Sequence, residues 1–136
     1  MPHIAHAIIK STDEFGRDQY LMLEKYTDLG DFSGFWNFPN IEANNEENAE
    51  ETLKNEIKRA IDLEVKNAEK FHEEIFENKI LSWWKYEIES AEFKILLEEI
   101  ADAEFFTFDQ MSAIPIIPAT KEFFEDKIFM KKIIAA

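Results

Sequence analysis

"FWNFPNIEANNEENAEETLKNEIKRAIDLEV", residues 35–65, decides the fold. It opens on an aromatic turn, Trp36-Asn37-Phe38-Pro39, runs through a polar, acidic loop, and closes on a periodic segment. Ala49, Leu53, Ile57, Ala60 and Ile61 recur at helical spacing and form one apolar stripe. Asn48 precedes the stripe and Glu51 follows three residues later, a pattern that predicts a capping box at the start of the helix. Asp62 stands where a helix often ends in a left-handed residue, a conformation that Asp tolerates less well than Gly.

Strands flank this loop-helix unit on both sides. "HIAHAIIK", residues 3–10, alternates loosely and then runs apolar, as a strand does. Asp13, Gly16 and Asp18 mark a turn, and "YLMLEKY", residues 20–26, reads as the returning strand. Beyond the helix, "KFHEEIF" (70–76) and "KILSWWKYEIES" (79–90) form a hairpin around Glu77-Asn78. In the second of these, Ile80, Trp84, Tyr86 and Ile88 share one face, and Leu81 and Trp83 the other. "EFKILLEEI" (92–100) is read as a further strand and "AEFFTF" (103–108) as a short last one. Pro115 and Pro118 break the chain before a closing helix over 120–134, with Phe124, Ile128 and Phe129 among its apolar positions. A helix between strands predicts a crossover over a sheet, and the two hairpins make much of that sheet antiparallel.

Composition narrows the function classes. The chain has 136 residues, which suits one domain, residues 1–136, with one sizeable core. Phenylalanine occurs 13 times, so the core is expected to be aromatic. There is no cysteine, which excludes disulfide scaffolds and thiolate zinc sites. Acidic residues number 29 and basic ones 15, a balance that argues against a DNA- or RNA-binding surface. Any phosphate chemistry must therefore be arranged by a local cation. No apolar run is long enough to span a bilayer and no secretory leader is seen, so no membrane role is expected and the location is expected to be cytoplasmic.

The order of elements and the residues around the helix resemble the Nudix hydrolases, most closely their MutT-like branch. That family has an aromatic-x-Phe-Pro-Gly-Gly turn followed by the box G-x5-E-x7-R-E-U-x-E-E-x-G-U, with U aliphatic. Trp36, Phe38 and Pro39 match the turn. An ungapped register places Ile41 at the box Gly, Glu47 at the first Glu, and Asn55 and Glu56 at Arg-Glu. Ile57 and Leu63 fit the aliphatic positions. Arg59 and Ala60 occupy the Glu-Glu pair, and Asp62 replaces the closing Gly. The resemblance implies an α+β fold, an α/β/α sandwich in which the box helix and a C-terminal helix pack on a mixed sheet.

It also implies a site. In the family the box carboxylates hold Mg2+ or Mn2+, which polarise a nucleotide pyrophosphate and activate water. Here Glu56 and Glu47 are the candidate catalytic residues, and Glu56, Glu47 and Glu99 (or its neighbour Glu98) the candidate metal ligands. Arg59 puts a permanent positive charge where a cation would sit, and two readings of it stand side by side. It either pairs with Glu56 inside the cleft or forms an ordinary surface pair at i, i+3. Phe38, Arg59, Trp83 and Thr120 are the candidate substrate-binding residues. Thr120 also reads as a helix cap, and Trp83 as core or dimer packing.

Three functions follow. The first is a Nudix-fold protein without the metal-dependent hydrolysis, binding a nucleotide-like ligand or a protein. The second is an active pyrophosphohydrolase with a non-standard metal site. The third is a structural or homodimeric module using a sheet edge or apolar positions such as Ile133 and Ile134.

Overall fold

The computed structural model describes residues 2–25, 34–43 and 48–129. Its elements run β1 (His3–Thr12), β2 (Asp18–Lys25), β3 (Trp36–Asn37), β4 (Asn40–Ala43), α1 (Ala49–Ile61), β5 (Lys66–Phe76), β6 (Lys79–Glu87), β7 (Ile100–Thr107), α2 (Phe108–Met111) and α3 (Pro118–Phe123). A π-helical turn over Phe124–Phe129 continues α3.

β1 organises the mixed sheet. Along one edge its residues His3 to Ile9 pair in parallel with β6. Along the other edge it changes partner. His3 to His6 pair with β4, and Lys10 to Thr12 pair with β2, both antiparallel. β2 carries β3 and β7, and β6 carries β5, again antiparallel. The change of partner divides the strands into two groups that share β1, one with β4, β6 and β5 and one with β2, β3 and β7.

Strand alternation sorts the side chains into two cores. Ala5, Ala7 and Ile9 of β1 pack against Leu53, Ile57, Ala60 and Ile61 of α1. The two alanines let the helix lie close to the strand. Each fully buried Leu or Ile of the stripe contributes about 1.5–3 kcal/mol. Tyr86 of β6 ties the first turn of α1 to the sheet, its hydroxyl donating to the Glu50 carbonyl at 2.6 Å. On the opposite face Ile8, Met22, Trp83, Phe38 and Phe123 form an aromatic core beneath α3. Sequence alternation had placed Trp84 and Tyr86 on one face and Leu81 and Trp83 on the other, and the two cores divide them in that way.

Several local expectations are corrected. Asn48 is left-handed, with φ of 63°, and its side chain makes no capping bond, so the capping box with Glu51 does not form. The only capping box among the described residues joins Thr107 and Gln110 at α2, a short helix that the sequence did not mark. Asp62 does end α1 in the left-handed region, with φ of 52°. It is held there by its N–H on the Lys58 carbonyl and by the Lys58 ammonium 2.8 Å from its carboxylate. Glu77 and Asn78 are both left-handed, the geometry of a two-residue hairpin turn.

Residues 92–99 are not a strand. The Lys94 and Leu96 amides donate to the Ile61 and Ala60 carbonyls at 2.8 Å, so this segment completes the open end of α1 instead of joining the sheet. Thr120 does not cap the last helix, which starts at Pro118, two residues earlier. Ile133 and Ile134 lie outside the described residues. No helix among the described residues is long and apolar enough to cross a membrane.

Candidate active site

The site follows from one helical face and the division of the strands. Glu56 and Ala60 sit one turn apart on α1, on the side facing the end of β2 and the start of β4. A hollow of about 20 Å³ lies there, bordered by Lys25, Asn40, Glu56, Ala60 and Glu99 together with apolar neighbours. A cavity needs roughly 10–15 Å³ to admit a single water, so this one has room for little more than one water or ion.

Arg59 grips Glu56 with two nearly parallel hydrogen bonds. Its Nε donates to one carboxylate oxygen at 3.0 Å and its Nη2 to the other at 2.8 Å. The Glu56 side chain is 30 % exposed and that of Arg59 61 %, so the pair sits at the lip of the hollow and not inside it. Its hydrogen bonds to Glu56, the negative charge of that carboxylate, and the charge of Glu99 hold the Arg59 guanidinium above its ordinary pKa. The Glu56 carboxylate thus faces a cation of the chain itself, and Glu99 and Lys25 border the same hollow.

The donors among the described residues do not fit a divalent cation. Magnesium takes six oxygens in near-octahedral array, and the ligating carboxylates must have free lone pairs. Both oxygens of Glu56 are engaged by Arg59, Ala60 offers nothing, and an ammonium borders the same hollow. Among the described residues no three His, Cys, Asp or Glu side chains stand close enough together to hold a metal ion. Glu47 lies outside the described residues, and Glu98 does not border the hollow.

The other substrate-binding expectations lie elsewhere. Phe38, Trp83 and Thr120 are fully buried, with no accessible surface for a ligand. Trp83 stacks between His6 at 4.9 Å and Phe123 at 4.2 Å. Thr120 donates from Oγ1 to Asn37 Oδ1 at 2.5 Å, and the same oxygen accepts the Phe38 N–H at 2.8 Å. The Asn40 amide donates to the Phe38 carbonyl, so two asparagines pin the aromatic turn with Phe38 aimed into the core. Of the four residues only Arg59 reaches solvent. Lys25 and Asn40 were missed because nothing in their local pattern marks them. They join the site only through the strand pairing that brings β2 and β4 beside α1.

With this geometry the fold can be placed: it is the Nudix fold of the MutT-type hydrolases, a mixed sheet flanked by a box helix and a C-terminal helix. No protein-family model matches the sequence, and no curated protein does. Solved structures do. The NUDIX domain of Shewanella oneidensis NrtR, determined in complex with ADP ribose, superposes with a TM-score of 0.73 at 11% identity, over 90% of this chain and 83% of that one. The Nudix hydrolase RenU from M. smegmatis gives 0.67 at 15% identity, over 98% and 85%. A chain from the complex of the mouse MUTYH C-terminal domain with human PCNA gives 0.67 at 19% identity, over 92% and 86%. At these identities the likeness establishes the fold, and the activity has to be argued from the site.

Proposed function

We propose that this Nudix-fold chain is a binding module that recognises a nucleotide-like ligand or a protein and does not carry out the metal-dependent hydrolysis of pyrophosphates. One observation carries the reading: Arg59 occupies both oxygens of Glu56 beside Ala60, at a hollow of about 20 Å³. In a metal-dependent hydrolase these positions supply carboxylates to cations. Here the chain supplies a cation itself, Arg59, on both oxygens of Glu56.

Lys25 and Arg59 are then the groups that meet an anionic ligand at this end of the sheet, as fixed charges in place of bound metal. A ligand of that kind is in keeping with the ADP ribose found with the NrtR domain. The protein-binding branch is in keeping with the MUTYH–PCNA complex. Exposed Leu96, beside the α1 terminus, offers apolar surface next to the hollow. Assembly as a homodimer belongs to the same reading, and the mass in solution checks it.

The competing reading is an active hydrolase that holds one magnesium through Glu56, Glu99 and Glu47. Its support is that Glu56 and Glu99 border one hollow. Titrating magnesium and manganese while following the melting temperature, and assaying phosphate release from a nucleotide panel, separates the two. The binding-module reading expects neither a specific metal-dependent rise in melting temperature nor turnover. Metal-dependent turnover that Glu56→Gln abolishes would overturn it.

A further inference from the structure

A second, larger hollow opens on the sheet face away from α1. Its volume is about 560 Å³, within the roughly 300–1,000 Å³ of small-molecule sites. Lys10 of β1, Tyr20 of β2, Phe71 of β5 and Lys85 of β6 border it, and Lys127 of the terminal π-helical turn closes one side. It lies at the other end of the sheet from the box hollow. Lys10 pairs with Tyr20 next to the β1–β2 turn, whereas the box hollow meets β2 at Leu23 and Lys25.

Three features mark it as a site for an anion. First, three lysines, Lys10, Lys85 and Lys127, line it in a chain whose net charge is -14. Among the described residues none of the three has a carboxylate within ion-pair distance. Glu69 stands opposite Lys85 in the strand register, yet the Lys85 ammonium lies over the Phe71 ring, 4.1 Å from its centre. Second, Tyr20 lines the hollow, and among the described residues no hydrogen-bond partner meets its hydroxyl. A phenol both donates and accepts, and a ligand in the hollow would supply a partner for it. Third, the charges are graded. Glu69 and Glu87 also border the hollow, with Glu87 held by the Asn67 amide at 2.6 Å. Three lysines against two carboxylates leave a net of one positive charge. That suits a single phosphate group and works against a longer polyphosphate.

We propose that this hollow binds a small organic phosphate, its head on Lys10, Lys85, Lys127 and the Tyr20 hydroxyl, and its apolar body against the aromatic wall. Four donors suit the several acceptor oxygens of a phosphate better than the two of a lone carboxylate. The site is separate from the box hollow and needs no metal.

Phenyl phosphate, added in the presence of a chelator, is the probe, with inorganic phosphate and phenol as the two partial probes. Calorimetry is expected to show one saturable site for phenyl phosphate and weaker binding for each part. Amide shifts are expected at Lys10, Tyr20 and Lys85. Lys85→Gln is expected to weaken binding about tenfold or more, since a hydrogen bond to a charged group is lost. Tyr20→Phe keeps the ring and the fold and is expected to weaken it several-fold. The inference is overturned by the absence of saturable binding at millimolar probe, by unchanged affinity in both variants, or by shifts confined to Lys25 and Glu56. The last outcome would place the anion at the box hollow and leave the proposed function standing.

Discussion

Placing two glutamates beside Glu56 on α1 tests the proposed function directly. In Arg59→Glu combined with Ala60→Glu, the lip of the hollow changes from two carboxylates and two cations to four carboxylates and Lys25 alone. Without metal those acids repel one another, so the melting temperature of the double variant is expected to fall below that of the parent. With metal the sign reverses. An ion present at about a hundred times its dissociation constant stabilises the folded state enough to raise the melting temperature by roughly 10 °C in a chain of this size. Parent and double variant are compared by thermal unfolding across a magnesium series at fixed ionic strength, with calcium and sodium as controls for screening. The parent should be flat and the variant should climb and saturate. If the variant shows only the shallow drift seen with sodium, positions 56, 59 and 60 do not converge on a cation site, and the reasoning from Arg59 fails.

Three further outcomes test the packing. Burial, only partly offset by the bond from its Nδ1–H to the Ser82 carbonyl, holds His6 near pKa 4 in the folded state, against 6.5 when free. The unfolded chain therefore binds the extra proton between those values. Stability from a neutral His6 is complete above about pH 6.5 and is lost as pH falls toward 4, on the order of 3 kcal/mol, and urea unfolding at pH 7 and 4.5 reads the difference. His6→Gln should flatten that slope. Trp83→Ala removes the ring between His6 and Phe123 and should cost about 3–5 kcal/mol in denaturant unfolding, because a stacked aromatic core cannot close over the gap. Thr120→Val removes the donor of the 2.5 Å bond to Asn37, whose oxygen keeps the Phe38 N–H, and should cost about 0.5–1.5 kcal/mol, while Thr120→Ser should restore most of it.

Much of the fold is legible in the chain because it is written in short-range pattern. The stripe from Ala49 to Ile61 specifies α1, and the alternation through Trp83 and Trp84 assigns the faces of β6. The pairing of Arg59 with Glu56 is also local, since i, i+3 on a helix brings the two side chains together whatever surrounds them. Residues 92–99 misled because an apolar run with β-forming residues satisfies a helix terminus as readily as a sheet edge, and only the carbonyls of Ala60 and Ile61 decide between them.

The sequence by itself determined the main strands and α1, the apolar faces of α1 and β6, and the placing of Arg59 and Ala60 one turn from Glu56 on the same helix. Tertiary structure alone decided that Phe38, Trp83 and Thr120 belong to a closed aromatic core, that Lys25 stands beside Glu56, and that Lys10, Lys85 and Lys127 share one hollow. The physical reason is range. Helical and strand periods repeat within a few residues and can be counted along the chain, whereas a site joins residues from strands far apart in sequence, and which of them meet depends on how β1 changes partners along its edge.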